Sequence, residues 1–363
     1  MSTPGRVAGL DLARGLAVLG MFGAHLRIGD ELTAAPSTWA AVVDGRSSIL
    51  FATLAGVSIA LLSGGPRPAE GVDLVRARLR IAVRAAWVFA IGAVLEWLDT
   101  FVAIILGVYA VLFLLALPFL RLSPRRLLLA AGALAVLGPP LDVLLGQVLS
   151  VADAEQHYVA ELLVTGTYPA LLWLAFVLVG LAVGRLDLTA APVRGRLAAA
   201  GAFAAVAGYA AGRLTTVVLA RGAPSDGPSD GFAAPVGEWD AAWLSGAAPH
   251  SGTTFELVGS GGVAVLVIAA GLVVADRLRR LTTPLQAVGA MALSVYTAQI
   301  VALRLLDDGG PDRPQGTGLW LLFVVSALAV AGVWRSRLGR GPLERVLTWS
   351  STRAADVGPV ART

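Results

Sequence analysis

The chain of 363 residues is 56 % hydrophobic and only 14 % charged, with a mean hydropathy of +0.76. That profile excludes an ordinary soluble domain and points to a polytopic membrane protein. The absence of cysteine removes disulfides, thiolate metal sites and a cysteine nucleophile from consideration, and three histidines in separate segments do not predict a metal centre. All basic residues are arginine and fall mostly between apolar runs, where they read as topology signals and not as a nucleic-acid surface.

Hydropathy predicts an all-α polytopic bundle of about ten transmembrane helices. The stretches lie near 7–26, 47–64, 81–96, 100–120, 127–149, 167–184, 197–219, 255–275, 285–305 and 318–334. With the N-terminus inside, alternate loops hold most of the arginines and the opposite ones most of the acids, so the chain is read as N-in and C-in. It is expected to form a single integral domain over 1–363, multi-pass in the inner (plasma) membrane. A long extracytoplasmic loop covers 220–254 and a cytoplasmic tail 335–363. All three histidines then fall at or beyond the outer edge.

The first stretch, VAGLDLARGLAVLGMFGAHL, carries Asp11, Arg14 and His25 inside an apolar run. Each helical residue advances about 100°, which puts His25 within roughly 20° of Arg14 and Asp11 roughly 60° away, so the three share a face. Arg14 and His25 are separated by about 16 Å along the axis. Ionisable groups in a span cost roughly 2.5–3.5 kcal/mol each at the helix centre. Asp11 and Arg14, three apart, suit an ion pair, whereas a histidine stays neutral without one.

In the second stretch Ala52, Gly56 and Ala60 recur every four residues, a face for close helix packing in lipid. Asp44 and Arg46 precede it as an expected outer ion pair on the side of His25. The arginine run Arg76, Arg78, Arg80 with Arg84 could hold donor phosphates or simply obey the positive-inside bias. Pro139-Pro140 offers a break in the fifth stretch, and Tyr168-Pro169 opens the sixth. The long loop brings Phe232, Trp239, Trp243, His250 and Glu256 to the membrane face, either as an interfacial segment or as an aromatic wall. Tyr296 and Gln299, three apart in the ninth stretch, can line one cavity or bond between helices.

Asp-x-x-Arg followed eleven residues later by His, in a first membrane helix, resembles the opening of the membrane acyltransferase-3 family. The wording LDLARGLAVLGMF is closer to two relatives, the YeiB-type bacterial membrane proteins and the heparan-α-glucosaminide N-acetyltransferase-like proteins. DGRSSILFATLAGVSIAL, TYPALLWLAFVLVGLAVGR with PHSGTTFELVGSGGVA, and AVGAMALSVYTAQ leading to GPLERVL extend the resemblance across nearly the whole chain. It implies about ten membrane helices and acyl transfer from an acyl-CoA donor to an extracytoplasmic acceptor such as a sugar or glycolipid. No metal is implied.

Residue by residue, the resemblance makes His25 the catalytic base or acyl carrier, with Asp11 and Arg14 its charged pair. Asp44, Arg46, Tyr168, His250, Glu256, Tyr296 and Gln299 are candidates for the acceptor, and Arg76, Arg78 and Arg80 for the donor. Two features depart from the pattern. The glucosaminide enzymes place their active histidine in the first outer loop before a tryptophan, where this chain reads AAPSTWAA with Pro36 and Ser37. The Arg-x-x-Arg of acyltransferase-3 proteins is not met, because Arg76, Arg78 and Arg80 are two apart. A transporter or flippase using Asp11, Arg14 and His25 as a polar relay, and a non-catalytic scaffold, are the alternatives. Membrane lipid is the expected partner, and a dimer is left open.

Overall fold

The computed structural model describes residues 7–28, 36–152, 154, 157–219, 241–307, 309 and 313–356. Phe232 and Trp239 lie outside them, as do the side chains of Pro36 and Ser37. All the regular structure among these residues is helical. In chain order the helices are α1 (Ala8–His25), α2 (Arg46–Leu62), α3 (Gly71–Trp97), α4 (Leu106–Leu115), α5 (Pro124–Val151), the single turn α6 (Tyr158–Ala160), α7 (Ala170–Gly184) and α8 (Ala191–Leu219). Then follow α9 (Thr254–Arg277), α10 (Arg279–Ala290), α11 (Ala292–Leu306), α12 (Thr317–Leu338) and α13 (Pro342–Ala354).

Five of these segments are each long and apolar enough to cross a membrane: Ala40–Leu62, Pro124–Val151, Ala191–Val218, Thr254–Arg277 and Thr317–Leu338. Two bent pairs pass together, Tyr158–Thr165 with Ala170–Gly184 at 56° and α10 with α11 at 72°. The chain is therefore a multi-pass membrane protein. The ninth predicted stretch is not one straight helix; it breaks at Met291. The fourth is helical only from Leu106, because residues 100–105 form a loop. Pro139 and Pro140 both lie inside a continuous α5, so the expected break there is absent.

At the centre stands α7, ALLWLAFVLVGLAVG, apolar on every side and buried at thirteen of its positions from Ala170 to Gly184. A helix hydrophobic all round belongs in the interior. Against it lies α2, and the two approach through glycine. A side chain at Gly56 would meet the Val177 carbonyl, and one at Gly180 the Thr53 carbonyl. The small-residue face of α2 is thus used, with Gly180 and Gly184 as its counterpart, because close van der Waals packing drives helix association in lipid.

The same device joins α8 to α9 through Gly208, Gly259 and Gly262, and α1 to α10 through Gly15 and Gly289. Arg185, 4 % exposed, ties the seam at one end. Its guanidinium donates to the carbonyls of Ala60, Ser63, Gly65 and Leu120 and to Ser63 Oγ. It thereby adds a further donor to the Ala60 and Ser63 carbonyls at the C-terminus of α2, which also accept from Gly65 and Ala69 N–H groups. On the outside, α5, α8 and α12 expose large apolar residues such as Leu129, Phe203 and Leu322, as a lipid-facing surface requires.

Candidate functional site: two cavities divided by one hydrogen bond

Part of the predicted site, including His25, Asp44, Tyr168, His250 and Tyr296, gathers in one cavity. His25 closes α1, and its Nδ1 stands 2.9 Å from Gln299 Oε1 on α11. A side-chain carbonyl oxygen only accepts, so the imidazole carries its proton on Nδ1 and keeps its lone pair on Nε2. The Tyr296 ring, one turn earlier on α11, meets the His25 ring edge-on at 6.0 Å. His25 and Tyr296, with Asp44, Tyr168, His250, Ser47, Ser48 and the 101–105 loop, line a cavity of about 200 Å³.

His250 reaches that cavity from a strained loop. Its φ is 62°, a left-handed conformation uncommon outside glycine. Glu256 holds it there: its Oε1 accepts from the His250 backbone N–H at 2.7 Å and its Oε2 from Gly252 N–H at 2.8 Å. Thr253 caps α9 in turn, its Oγ1 accepting from Glu256 N–H. Glu256 therefore braces the loop and does not line the cavity. The His250 ring packs edge-on to Tyr168 at 5.4 Å, its Nε2 lies 3.9 Å from Asp44 Oδ1, and its Nδ1 has no hydrogen-bond partner. Gly45 (φ 64°) turns the chain beneath Pro249, where a Cβ would sit 3.0 Å from the proline Cβ. The turn after Asp44 thus fixes how closely the His250 loop approaches.

Arg46 leaves this group. Its Nε donates to Tyr209 OH at 2.8 Å and its guanidinium lies over the Tyr209 ring, so the expected pairing with Asp44 is replaced by a link to α8. Two arginines not singled out in the sequence, Arg27 and Arg313, do line the cavity. Both sit on the side expected to be poor in arginine, and that inversion of the charge bias was their signal.

Asp11 and Arg14 sit at the other end of α1. Arg14 donates to Asp11 at 2.9 Å, to Ser58 Oγ at 3.1 Å and to the Gly289 carbonyl at 3.4 Å. Asp11 also lies 3.9 Å from Arg335. The shared helix face does not bring this pair to His25; it brings Arg14 to a second cavity of about 320 Å³. Arg14, Arg84 and Arg340 line it, over an apolar floor of Phe51, Val88, Leu106 and Phe113. Among the candidate donor arginines, Arg76 pairs with Asp73, and Arg76, Arg78 and Arg80 do not line this cavity. Arg84 does, together with Arg340 from the tail.

The break at Met291 opens onto this second cavity. Glu344 of α13 accepts from the backbone N–H groups of Leu293 and Ser294 at 2.9 and 3.1 Å, and from Ser294 Oγ. A carboxylate thus occupies the N-terminus of α11, where exposed N–H groups and the helix dipole favour negative charge. A thin partition separates the two cavities. Ile105 lines the first and Leu106 the second; Ser48 lines the first and Phe51 the second. Tyr109, on the second, donates its hydroxyl to the Ser48 carbonyl at 2.9 Å.

The family described as heparan-alpha-glucosaminide N-acetyltransferase, catalytic, matches residues 6–215, and that described as a protein of unknown function (DUF418) matches residues 213–353. No curated protein matches the chain. The first match covers more than half of the sequence, including α1 with both its polar ends, and it supports reading the chain as an acetyltransferase. The second takes in α11, Glu344 and the His250 loop. The chain belongs to the heparan-alpha-glucosaminide N-acetyltransferase catalytic family.

Proposed function

We propose that the protein transfers an acyl group, acetyl by the family's name, from acyl-CoA bound in the Arg14 cavity to an acceptor bound in the His25 cavity. The Arg14 cavity would face the cytoplasm and the His25 cavity the outside of the inner membrane. One observation carries the reading: a cationic cavity and a histidine cavity lie at opposite ends of α1, divided by the Tyr109–Ser48 hydrogen bond. Three guanidinium groups over an apolar floor suit a polyanionic donor with an extended arm. His25 and Arg14 differ by about 16 Å along α1, a span for a flexible arm and too far for direct contact. The acyl end has to cross the partition at Tyr109.

At the His25 end the acceptor's O–H or N–H gives its proton to the Nε2 lone pair. The freed oxygen or nitrogen bonds to the thioester carbonyl carbon, the C–S bond breaks, and the thiolate of coenzyme A leaves. Gln299 sets the tautomer this step needs. Asp44, Tyr168 and His250 supply polar and aromatic contacts for a sugar or glycolipid head group, and Glu256 positions His250. The cations Arg27 and Arg313 favour the oxyanion that forms on the carbonyl.

The test is binding of acetyl-CoA to purified protein, followed by acetyl transfer, in wild type, Arg14→Ala and His25→Ala. Arg14→Ala is expected to weaken binding, and His25→Ala to bind donor normally but transfer nothing. A stably folded His25→Ala protein with full transfer activity would refute the assignment. A transporter is the second reading, favoured by the two bent pairs and by cavities closed off from one another, features that suit alternating access. Substrate uptake into vesicles without acetyl-CoA consumption would establish it instead.

A further inference from the structure

A groove of about 350 Å³ runs between α11 and α12, lined chiefly by apolar and small side chains, among them Phe22, Val295, Ala298, Phe323, Ala327 and Val330. Ala331 is the buried residue of α12, a helix apolar enough to cross the membrane, so the groove opens at hydrocarbon depth. One amide side chain lies in it, Gln299, 2 % exposed. Its Oε1 faces His25, and its Nε2 has no hydrogen-bond partner. An unsatisfied buried donor costs about 1–3 kcal/mol, and lipid tails offer it no acceptor.

Gln299 stands where the groove meets the His25 cavity. His25, Met21 and Tyr296 line the cavity, while their neighbours Phe22, Val295 and Gln299 line the groove. From Gln299 the groove follows α11 back to Met291, about 12 Å along the helix, ending near Trp334 and Pro342. A ligand that fits has three parts in order: a polar head in the cavity, an oxygen acceptor at Gln299 and an apolar chain along the groove.

We infer that the groove holds the hydrocarbon tail of a lipid-linked acceptor, whose head group is presented to His25 while an oxygen at the head–tail junction accepts from Gln299 Nε2. A tail leaving the His25 end runs toward the bilayer middle, the direction taken by the tails of that leaflet. The naming of the head as acyl acceptor rests on the acyltransferase reading. The groove's occupancy by a tailed amphiphile does not.

The test uses the full-length protein in phospholipid nanodiscs and a dodecyl glucoside carrying a diazirine on its chain, with crosslinks mapped by mass spectrometry. Crosslinks are expected on α11 between Val295 and Ala302 and on α12 between Phe323 and Ala331. Dodecyl glucoside should compete them away, and methyl glucoside should not. Ala327→Trp fills the groove and should cut this labelling by about tenfold or more, the effect of roughly 1.4 kcal/mol. Val325→Trp, on the outward face of α12, should leave it unchanged. If Ala327→Trp does not fold, Ala327→Leu is the filling variant.

Labelling spread evenly over α5, α8 and α12, or unaltered by filling the groove, overturns the inference in favour of general lipid contact. Acetyl transfer to both glucosides is followed in the same samples. Groove labelling without any transfer keeps the site and refutes the acyltransferase reading. Equal transfer to dodecyl and methyl glucoside without groove labelling does the reverse.

Discussion

Replacing Gln299 by leucine, one atom shorter but branched, removes the oxygen that faces His25 Nδ1 at 2.9 Å. A neutral hydrogen bond of this kind is worth about 0.5–1.5 kcal/mol. Without it the imidazole also divides between its two tautomers, so part of the population loses the Nε2 lone pair. Together these amount to about 1–1.5 kcal/mol, or a fall of roughly five- to tenfold in kcat at tenfold per 1.36 kcal/mol. Donor affinity should not change, because the Arg14 cavity lies about 16 Å away along α1. The assay is release of free coenzyme A thiol from acetyl-CoA, with donor binding measured separately by titration. Gln299→Glu retains an acceptor at the same position and should keep more activity than Gln299→Leu. A leucine variant with the wild-type rate would show that Gln299 does not orient His25. A loss as complete as that of His25→Ala would show a larger part than orientation.

Gly180→Val should cost the fold several kcal/mol or abolish it, since the new side chain would meet the Thr53 backbone carbonyl at the α2–α7 seam. Gly132→Ala, in α5 with nothing within 4 Å, should be neutral or stabilising by up to about 1 kcal/mol; melting in detergent by size-exclusion chromatography distinguishes the two. Arg185→Ala strips partners from four buried carbonyls and should lower stability by about 3 kcal/mol or more. Arg185→Lys, which has no planar fork to bridge Ser63 and Leu120, should recover only part of it. Glu344→Gln removes a negative charge from the cavity of Arg14, Arg84 and Arg340, so acetyl-CoA should bind severalfold tighter by calorimetry while the protein melts earlier.

The helices were legible because long apolar runs have few alternatives in lipid, and the small-residue face of α2 was legible from its four-residue spacing. Its partners Gly180 and Gly184 were not, since nothing in one helix says which neighbour it will meet. His25, Asp44, Tyr168, His250 and Tyr296 stood out singly, because polar residues at the ends of apolar runs must face protein or water; that they line one cavity was not legible, since sequence does not say which helix ends meet. The arginines that line the Arg14 cavity were not legible as a set. Arg78 points away from Arg76 and Arg80, which share a helix face with Arg84, yet of these only Arg84 lines the cavity, and Arg340 reaches it from far along the chain. Most hidden was the break at Met291. AVGAMALSVYTAQ reads as one apolar helix, with no proline at the break to interrupt it. The Glu344 carboxylate meets the amide groups freed at the start of the second half-helix, a contact between residues some 50 positions apart.

That contact also orders events in time. As the chain is made, α11 is complete while Glu344, separated from Ser294 by 50 positions, is still to be translated. Until it arrives, the amide groups of Leu293 and Ser294 have no carboxylate to meet. The bend gains this brace only after α12 has been made and α13 has packed against α11. A ribosome halted before residue 344 should therefore hold an α10–α11 pair more frayed at the start of α11 than in the finished protein. α13 would then close an interior that was built well before it.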